Sequence, residues 1–193
     1  MALRMFVAVT PPDEVVEHLA DYLEPRQDAP GSLRWTLPEQ WHLTLAFMAA
    51  VPDHALDALT DQLASLVADR SSFSLQLQGA GTFPNPAAAK VLWAGVAGEV
   101  DVLQRLAVAT RAAVARAGVE VEGGPFRPHL TLARANRPIE ATRWLRILDL
   151  YRGLSWQVDS LALVESQLGG HGRGRTRHQV RALFDLGEQA SVD

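Results

Sequence analysis

Hydrophobic and polar positions along this chain follow two periods, and an element should begin or end where one gives way to the other. Residues 3–9 form a short apolar run that reads as a buried strand. Thr10-Pro11-Pro12-Asp13 then has the grammar of a helix start: a capping hydroxyl, proline in the first turn and acidic side chains near the positive end. The spacing predicts that helix to about residue 24, a loop over 27–32 around Pro30-Gly31, a strand over 33–36 and, past Pro38, a strand over 41–47. Pro52-Asp53 opens a second helix, ending near residue 70, whose Leu56, Leu59, Leu63 and Leu66 recur at helical spacing.

Strict alternation over 73–78 predicts a half-exposed strand, followed by a loop over 79–86 and a strand over 90–96. A third helix follows Gly98, with Val102, Leu103, Leu106, Ala109, Ala113 and Val114 as its apolar stripe and Gly118 as its stop. Gly123-Gly124-Pro125 breaks the chain before a strand over 126–134. A helix is predicted over 139–150, and two last strands over 156–164 and 179–186 flank a turn rich in Gly and Arg. Each half therefore holds strands and two helices, the pattern of a duplicated α+β unit with helices on the outer faces of two small sheets.

Two of these strands carry the same four residues, His42-Leu43-Thr44-Leu45 and His129-Leu130-Thr131-Leu132. In an extended strand His and Thr share one face while the two Leu share the other, so each copy can seat its leucines on a core and present an imidazole with a hydroxyl. With 6 His, 9 Thr and 27 Leu in 193 residues, chance supplies only about 0.005 copies of the string. Imidazole titrates near neutrality, so two of them across a cleft can divide acid and base roles, with hydroxyls holding the oxygens that gain charge. A phosphodiester with an alcohol leaving group suits this equipment better than an acyl substrate, because no nucleophile is evident.

Composition narrows the chemistry further. The chain has no Cys, which removes disulfides, thiolate metal sites and cysteine nucleophiles and suits a reducing compartment. The first ten residues are apolar but short and carry Arg4, and no run approaches membrane-spanning length, so a soluble cytoplasmic protein is expected. A net charge of −4 argues against coating long nucleic acid. The charge is split, though: residues 98–193 hold 13 of the 18 basic side chains. Arg outnumbers Lys 17 to 1, and guanidinium is the better planar fork for phosphate. Gly169-Gly170-His171-Gly172-Arg173-Gly174-Arg175 lacks the ending of a phosphate loop, and neither a dinucleotide nor a Walker string occurs elsewhere.

The paired strings, the second within Phe126-Arg127-Pro128-His129-Leu130-Thr131-Leu132-Ala133-Arg134, resemble the 2H phosphoesterase superfamily and its two His-x-Thr motifs. The chain is more closely similar to the bacterial RNA 2′,3′-cyclic phosphodiesterases, also called the 2′-5′ RNA ligase family. Arg4-Met5-Phe6-Val7-Ala8-Val9, Leu33-Arg34-Trp35, Val91-Leu92-Trp93-Ala94-Gly95-Val96 and Leu163-Val164-Glu165-Ser166 agree with it. The resemblance implies a bilobal α+β fold of two small antiparallel sheets, the motifs facing across a central groove. Residues 1–187 would form that single domain and 188–193 a polar tail. It also implies metal-independent, cofactor-free hydrolysis of RNA 2′,3′-cyclic phosphate ends to 2′-phosphomonoesters. His42 would be the proton donor, His129 the proton acceptor, and Thr44 and Thr131 the phosphate-binding hydroxyls. Two departures, Phe47-Met48-Ala49 in place of Phe-Leu-Gly and His178 where a Tyr is often seen, concern substrate contacts.

Lesser candidates surround the motifs. Arg127 has groove-side parity if its strand is regular, and Arg134 has the opposite parity but closes the shared motif. Phe126 and Trp35 are candidates to stack on a base, with core packing the competing reading. Arg173, Arg175 and Arg177 could guide an RNA end or form a solvated turn. His18, His54 and His171 show no metal spacing, so no metal is assigned. The competing functions are an RNA-end binding module without turnover and a phosphodiesterase for another cyclic phosphate or a 2′-5′ linkage. Ligation is the reverse reaction, and no ATP-binding element is present to drive it. No membrane or obligate protein partner is expected, and the chain should be monomeric.

Overall fold

The apolar run at the start becomes β1 (Ala2–Val9), in which Met5 to Val9 are all buried, so the strand is covered on both faces. In the computed structural model, which describes residues 2–27, 33–167 and 176–187, it is followed by α1 (Asp13–Gln27), β2 (Leu33–Trp35), β3 (Leu43–Pro52), α2 (Leu56–Val67) and β4 (Phe73–Phe83). Then come β5 (Ala89–Gly98), α3 (Val100–Arg116), β6 (Leu130–Ile139), α4 (Thr142–Leu148), β7 (Arg152–Val158), β8 (Ser160–Gln167) and β9 (Arg177–Asp185). The Pro30-Gly31 loop, His171, Arg173, Arg175 and the tail 188–193 lie outside the described residues. Among the described residues, no helix is long and apolar enough to cross a membrane.

Both expected sheets are present, and every pairing within them is antiparallel. One contains β9, β8, β1 and β3 in that order; the other runs β6, β5, β4, β7, with β2 added beside β6. They meet where β3 and β6 pair through Leu43 and Leu130, making one continuous curled path. The lobes are not the two halves of the chain. β8 and β9 complete the sheet begun by β1 and β3, whereas α1, near the start, packs against β7 of the other lobe. Across that contact His18 Nδ1 is 2.9 Å from the Tyr151 hydroxyl, and the Tyr22 hydroxyl donates to the Ile147 carbonyl at 2.6 Å.

The helical stripes behave as their spacing requires. Leu59, Leu63 and Leu66 of α2 and Leu103, Leu106, Ala113 and Val114 of α3 are buried in one core, where α2 and α3 pack together and α3 lies on β3. Each fully buried leucine contributes about 2 kcal/mol through removal from water. Buried Thr110, the polar member of the α3 stripe, donates its hydroxyl to the Leu106 carbonyl at 2.8 Å, so its burial leaves no orphan group.

Several boundaries move for identifiable reasons. The strand predicted over 156–164 is two strands, β7 and β8, divided at Asp159 and paired in different lobes. Apolar periodicity reports burial, and both lobes bury their strands. β4 runs through the loop predicted over 79–86 because a register shift, with Gly79 at φ +78°, absorbs the irregularity. The fourth helix starts at Thr142, since β6 continues to Ile139; β6 itself begins only at Leu130, after an approach without regular pairing from Pro125 to His129.

Candidate active site

Leu43 and Leu130, each immediately after a motif histidine, are Cα partners in an antiparallel pair. One step along that register sets His42 opposite Thr131 and Thr44 opposite His129. Both leucines are fully buried, so strand alternation turns all four motif side chains toward the other face, where they line one groove of about 770 Å³.

The two imidazoles are held in the same way. His42 Nδ1 donates to the Gln40 carbonyl and His129 Nδ1 to the Arg127 carbonyl, each at 2.7 Å and each two residues back along the chain. A carbonyl can only accept, so both Nδ1 atoms carry hydrogen and Nε2 is the nitrogen left for chemistry. Gln40 closes the 3-10 turn at Pro38–Gln40. Its side chain donates to the Thr176 carbonyl at 2.7 Å, tying that turn to the residue before β9.

Aromatic rings fix each imidazole from behind. Phe6 of β1 stacks on His42 with centroids 4.5 Å apart and planes 17° off parallel, while His178 of β9 meets both rings edge-on at 5.3 and 5.0 Å. Phe83 lies edge-on to His129 at 5.0 Å, and the Trp93 ring is tilted against the same imidazole at 6.0 Å. Gly81 makes room for this: a Cβ there would sit 2.0 Å from Trp93 Cζ2.

A matched pair of bulges completes the floor. Against β1, Val7 and Ala8 oppose Ala46 and Thr44, so Leu45 is an extra residue in β3; against β5, Leu92 and Trp93 oppose Ala133 and Thr131, so Leu132 is extra in β6. In both strands two consecutive residues are buried, Leu45-Ala46 and Leu132-Ala133. The residue after each pair therefore returns to the groove. Those residues are Phe47 and Arg134, and both line it. Arg4 sits over the Phe47 ring at 4.4 Å from its centroid.

Arg134 thus reaches the site despite its nominal parity. Arg127 contributes its carbonyl; its side chain is exposed and is not among the residues lining the groove. Trp35 lines the groove and also meets Trp144 edge-on at 5.1 Å, whereas Phe126 packs against the core. His178, Gln40, Phe6, Phe83 and Trp93 were not singled out from the sequence as site residues. Only His178 left a signal there, as the departure from Tyr. Among the described residues, no three His, Cys, Asp or Glu side chains are grouped to hold a metal ion.

Electrostatically the groove is cationic. Arg4, Arg34, Arg134 and three histidines line it, and no Asp or Glu does so among the described residues. Burial pushes the His42 imidazole down to about 4, and the nearby charges of His178, His129 and Arg134 add to this against the opposing pull of the Gln40 carbonyl. His129 is lowered for the same leading reason, with Arg134 again contributing. Both rings are neutral at pH 7.

Comparison with known proteins gives a consistent set of relatives. The profile of the 2′-5′ RNA ligase superfamily matches residues 10–170. A Thermus thermophilus protein named RNA 2′,3′-cyclic phosphodiesterase is 35% identical over 177 residues, covering 86% of this chain and 83% of that protein. A protein of the same name from Aeropyrum pernix is 31% identical over 149 residues, with 75% and 83% covered. Among solved structures, Escherichia coli LigT without ligand superposes with a TM-score of 0.78 at 27% identity, over 97% of this chain and 99% of that one. LigT complexed with 3′-AMP gives 0.78 at 26% identity, over 96% and 99%.

Proposed function

The chain belongs to the 2′-5′ RNA ligase superfamily, and on that premise we propose that it is a phosphodiesterase that opens 2′,3′-cyclic phosphate ends of RNA to 2′-phosphomonoesters. One observation carries this reading: two imidazoles, each anchored through Nδ1 to the carbonyl two residues back, line a single groove, and neither Nε2 has a hydrogen-bond partner among the described residues.

The chemistry follows from those nitrogens. His129 Nε2 takes a proton from water as the water oxygen attacks phosphorus. The bond from phosphorus to the ribose 3′ oxygen breaks, and His42 Nε2 supplies the proton that leaves a 3′ hydroxyl beside the new 2′-phosphate. The Thr44 and Thr131 hydroxyls donate to the non-bridging oxygens, and Arg134 opposes the charge that develops there.

His42 must carry a proton to act as the donor, yet desolvation keeps it neutral at pH 7. The substrate resolves this: an anionic phosphate beside the ring favours the imidazolium and draws a proton onto it as it binds.

The test is an RNA oligonucleotide ending in a 2′,3′-cyclic phosphate, incubated with the protein in EDTA and followed by phosphorus NMR. A 2′-phosphomonoester should accumulate, and His42→Ala and His129→Ala should each lower the rate by about 10²–10⁴. Full activity in both variants, or binding of the cyclic end with no product, would overturn the reading.

A further inference from the structure

Two of the arginines that line the groove face each other across neighbouring strands. Arg34 on β2 and Arg134 on β6 are direct Cα partners, so their side chains leave the sheet on the same face. Both line the groove. Like charges directly opposite on neighbouring strands repel, and the Arg134 guanidinium is destabilised by burial and by Arg34. Among the described residues neither side chain has a hydrogen-bond or carboxylate partner. Such a pair is completed by an anion between the two forks.

Strand register sets the two arginines apart from the reacting centre. Arg134 acts on both His42 and His129, whereas Arg34 acts on Arg134 and is absent from the charges felt at either imidazole. Along β6, His129 and Thr131 flank the pairing with β3, and Arg134 lies beyond it at the pairing with β2, where Arg34 stands opposite. Trp35 and Leu37, close to Arg34 in sequence, line the same groove, so apolar surface is available there to lie along a nucleoside.

We propose that Arg34, sharing Arg134 with the reacting centre, forms a second phosphate subsite that takes the phosphate on the 5′ oxygen of the same terminal ribose. The enzyme then recognises an RNA end by two phosphates spaced one nucleotide apart, not by the cyclic phosphate alone. This rests on the cyclic-phosphate hydrolysis proposed above. Arg34 contacts no reacting atom; it sets which ends are bound well.

Three probes separate the possibilities: adenosine 2′,3′-cyclic phosphate, the same nucleoside with a 5′-phosphomonoester, and the ApA dinucleotide ending in a 2′,3′-cyclic phosphate. For the unaltered protein, kcat/KM should rise about tenfold or more from the first probe to a two-phosphate probe, chiefly through KM. Arg34→Gln should erase that gain, leave the one-phosphate probe within about twofold, and flatten the salt dependence of the gain by about one charge. Arg34→Lys should restore part of the gain, since it keeps the charge and loses the fork. A gain with the dinucleotide alone identifies a bridging diester as the ligand; a gain with both identifies any 5′-phosphate. Equal kcat/KM on all probes, or a gain that survives in Arg34→Gln, overturns the subsite while leaving the hydrolytic function standing. Failure to open any of the three overturns the function itself.

Discussion

Phe6 lies flat against His42, ring over ring, and is itself 4% exposed. One face of the imidazole is therefore closed to water by a side chain with no polar atom. This contact ties the desolvation of His42 to β1 rather than to its own strand, and it makes Phe6 a positioning residue. Phe6→Leu should keep the fold at a cost of about 1–2 kcal/mol, lower kcat several-fold, and leave KM nearly unchanged. Rehydration of the ring should also raise the pKa of His42 and shift upward the limb of the pH profile that reports it, an effect that a purely structural defect would not produce.

Stability should depend on acid in a defined window. The folded pKa of His42 is depressed to about 4 from an ordinary value of 6.5, so between those limits the unfolded chain binds a proton that the native protein does not. Stability then rises with pH through that window, is fully present above about 6.5, and is lost as pH falls toward 4. The lowered His129 and His178 act in the same direction. Thermal melting at intervals from pH 4 to 7 should show a shallower fall for His42→Asn than for the unaltered protein. Parallel curves would mean that His42 is not desolvated.

Binding an unreactive phosphate diester near pH 6 should take up protons. The anion stabilises imidazolium in a groove where His42 begins neutral. Calorimetry in buffers of different ionisation enthalpy reads the number directly. A value of zero would contradict the charging of His42 by substrate.

Gly81→Ala should damage the site through Trp93. The new Cβ would fall 2.0 Å from Cζ2 of the indole, whose centroid is 6.0 Å from that of His129. The indole must shift, with His129 among its neighbours. Activity should drop about tenfold, with a loss of about 1–3 kcal/mol in stability from overpacking. A second substitution, Trp93→Leu, should recover much of the stability by clearing the collision.

Thr44→Val and Thr131→Val keep the shape and remove a donor from each motif. Each should lower kcat/KM by about 10²-fold, with the fold intact, if the hydroxyls meet the charge that grows on the non-bridging oxygens. Equal losses from the two would follow from the antiparallel register that sets each threonine opposite the other motif's histidine.

The four motif side chains were legible because repetition and strand parity are properties of sequence. Parity assigns Arg134 and Phe47 the wrong face, since both sit just past a bulge, and only the shared motif made Arg134 a candidate. A trace was there in Leu45-Ala46 and Leu132-Ala133, paired apolar residues that interrupt alternation, but the same trace occurs in any strand buried on both sides. His178 depends on the register of β9 against β8, where it is the partner of Ser166. No local pattern fixes a pairing between separate strands. The division at Asp159 was hidden for the related reason that burial does not say which neighbour does the burying.

That division means the chain leaves one lobe and returns to the other before it ends, while α1 near its start already seals the lobe opposite β1. The halves are stitched through each other. A polypeptide cut between the two motif strands would yield two fragments with each sheet shared between them, so neither could close a core without its counterpart. The spacing of the two imidazoles is accordingly a property of one cooperative melting unit, and loosening either sheet would widen the gap that a single phosphorus atom has to bridge.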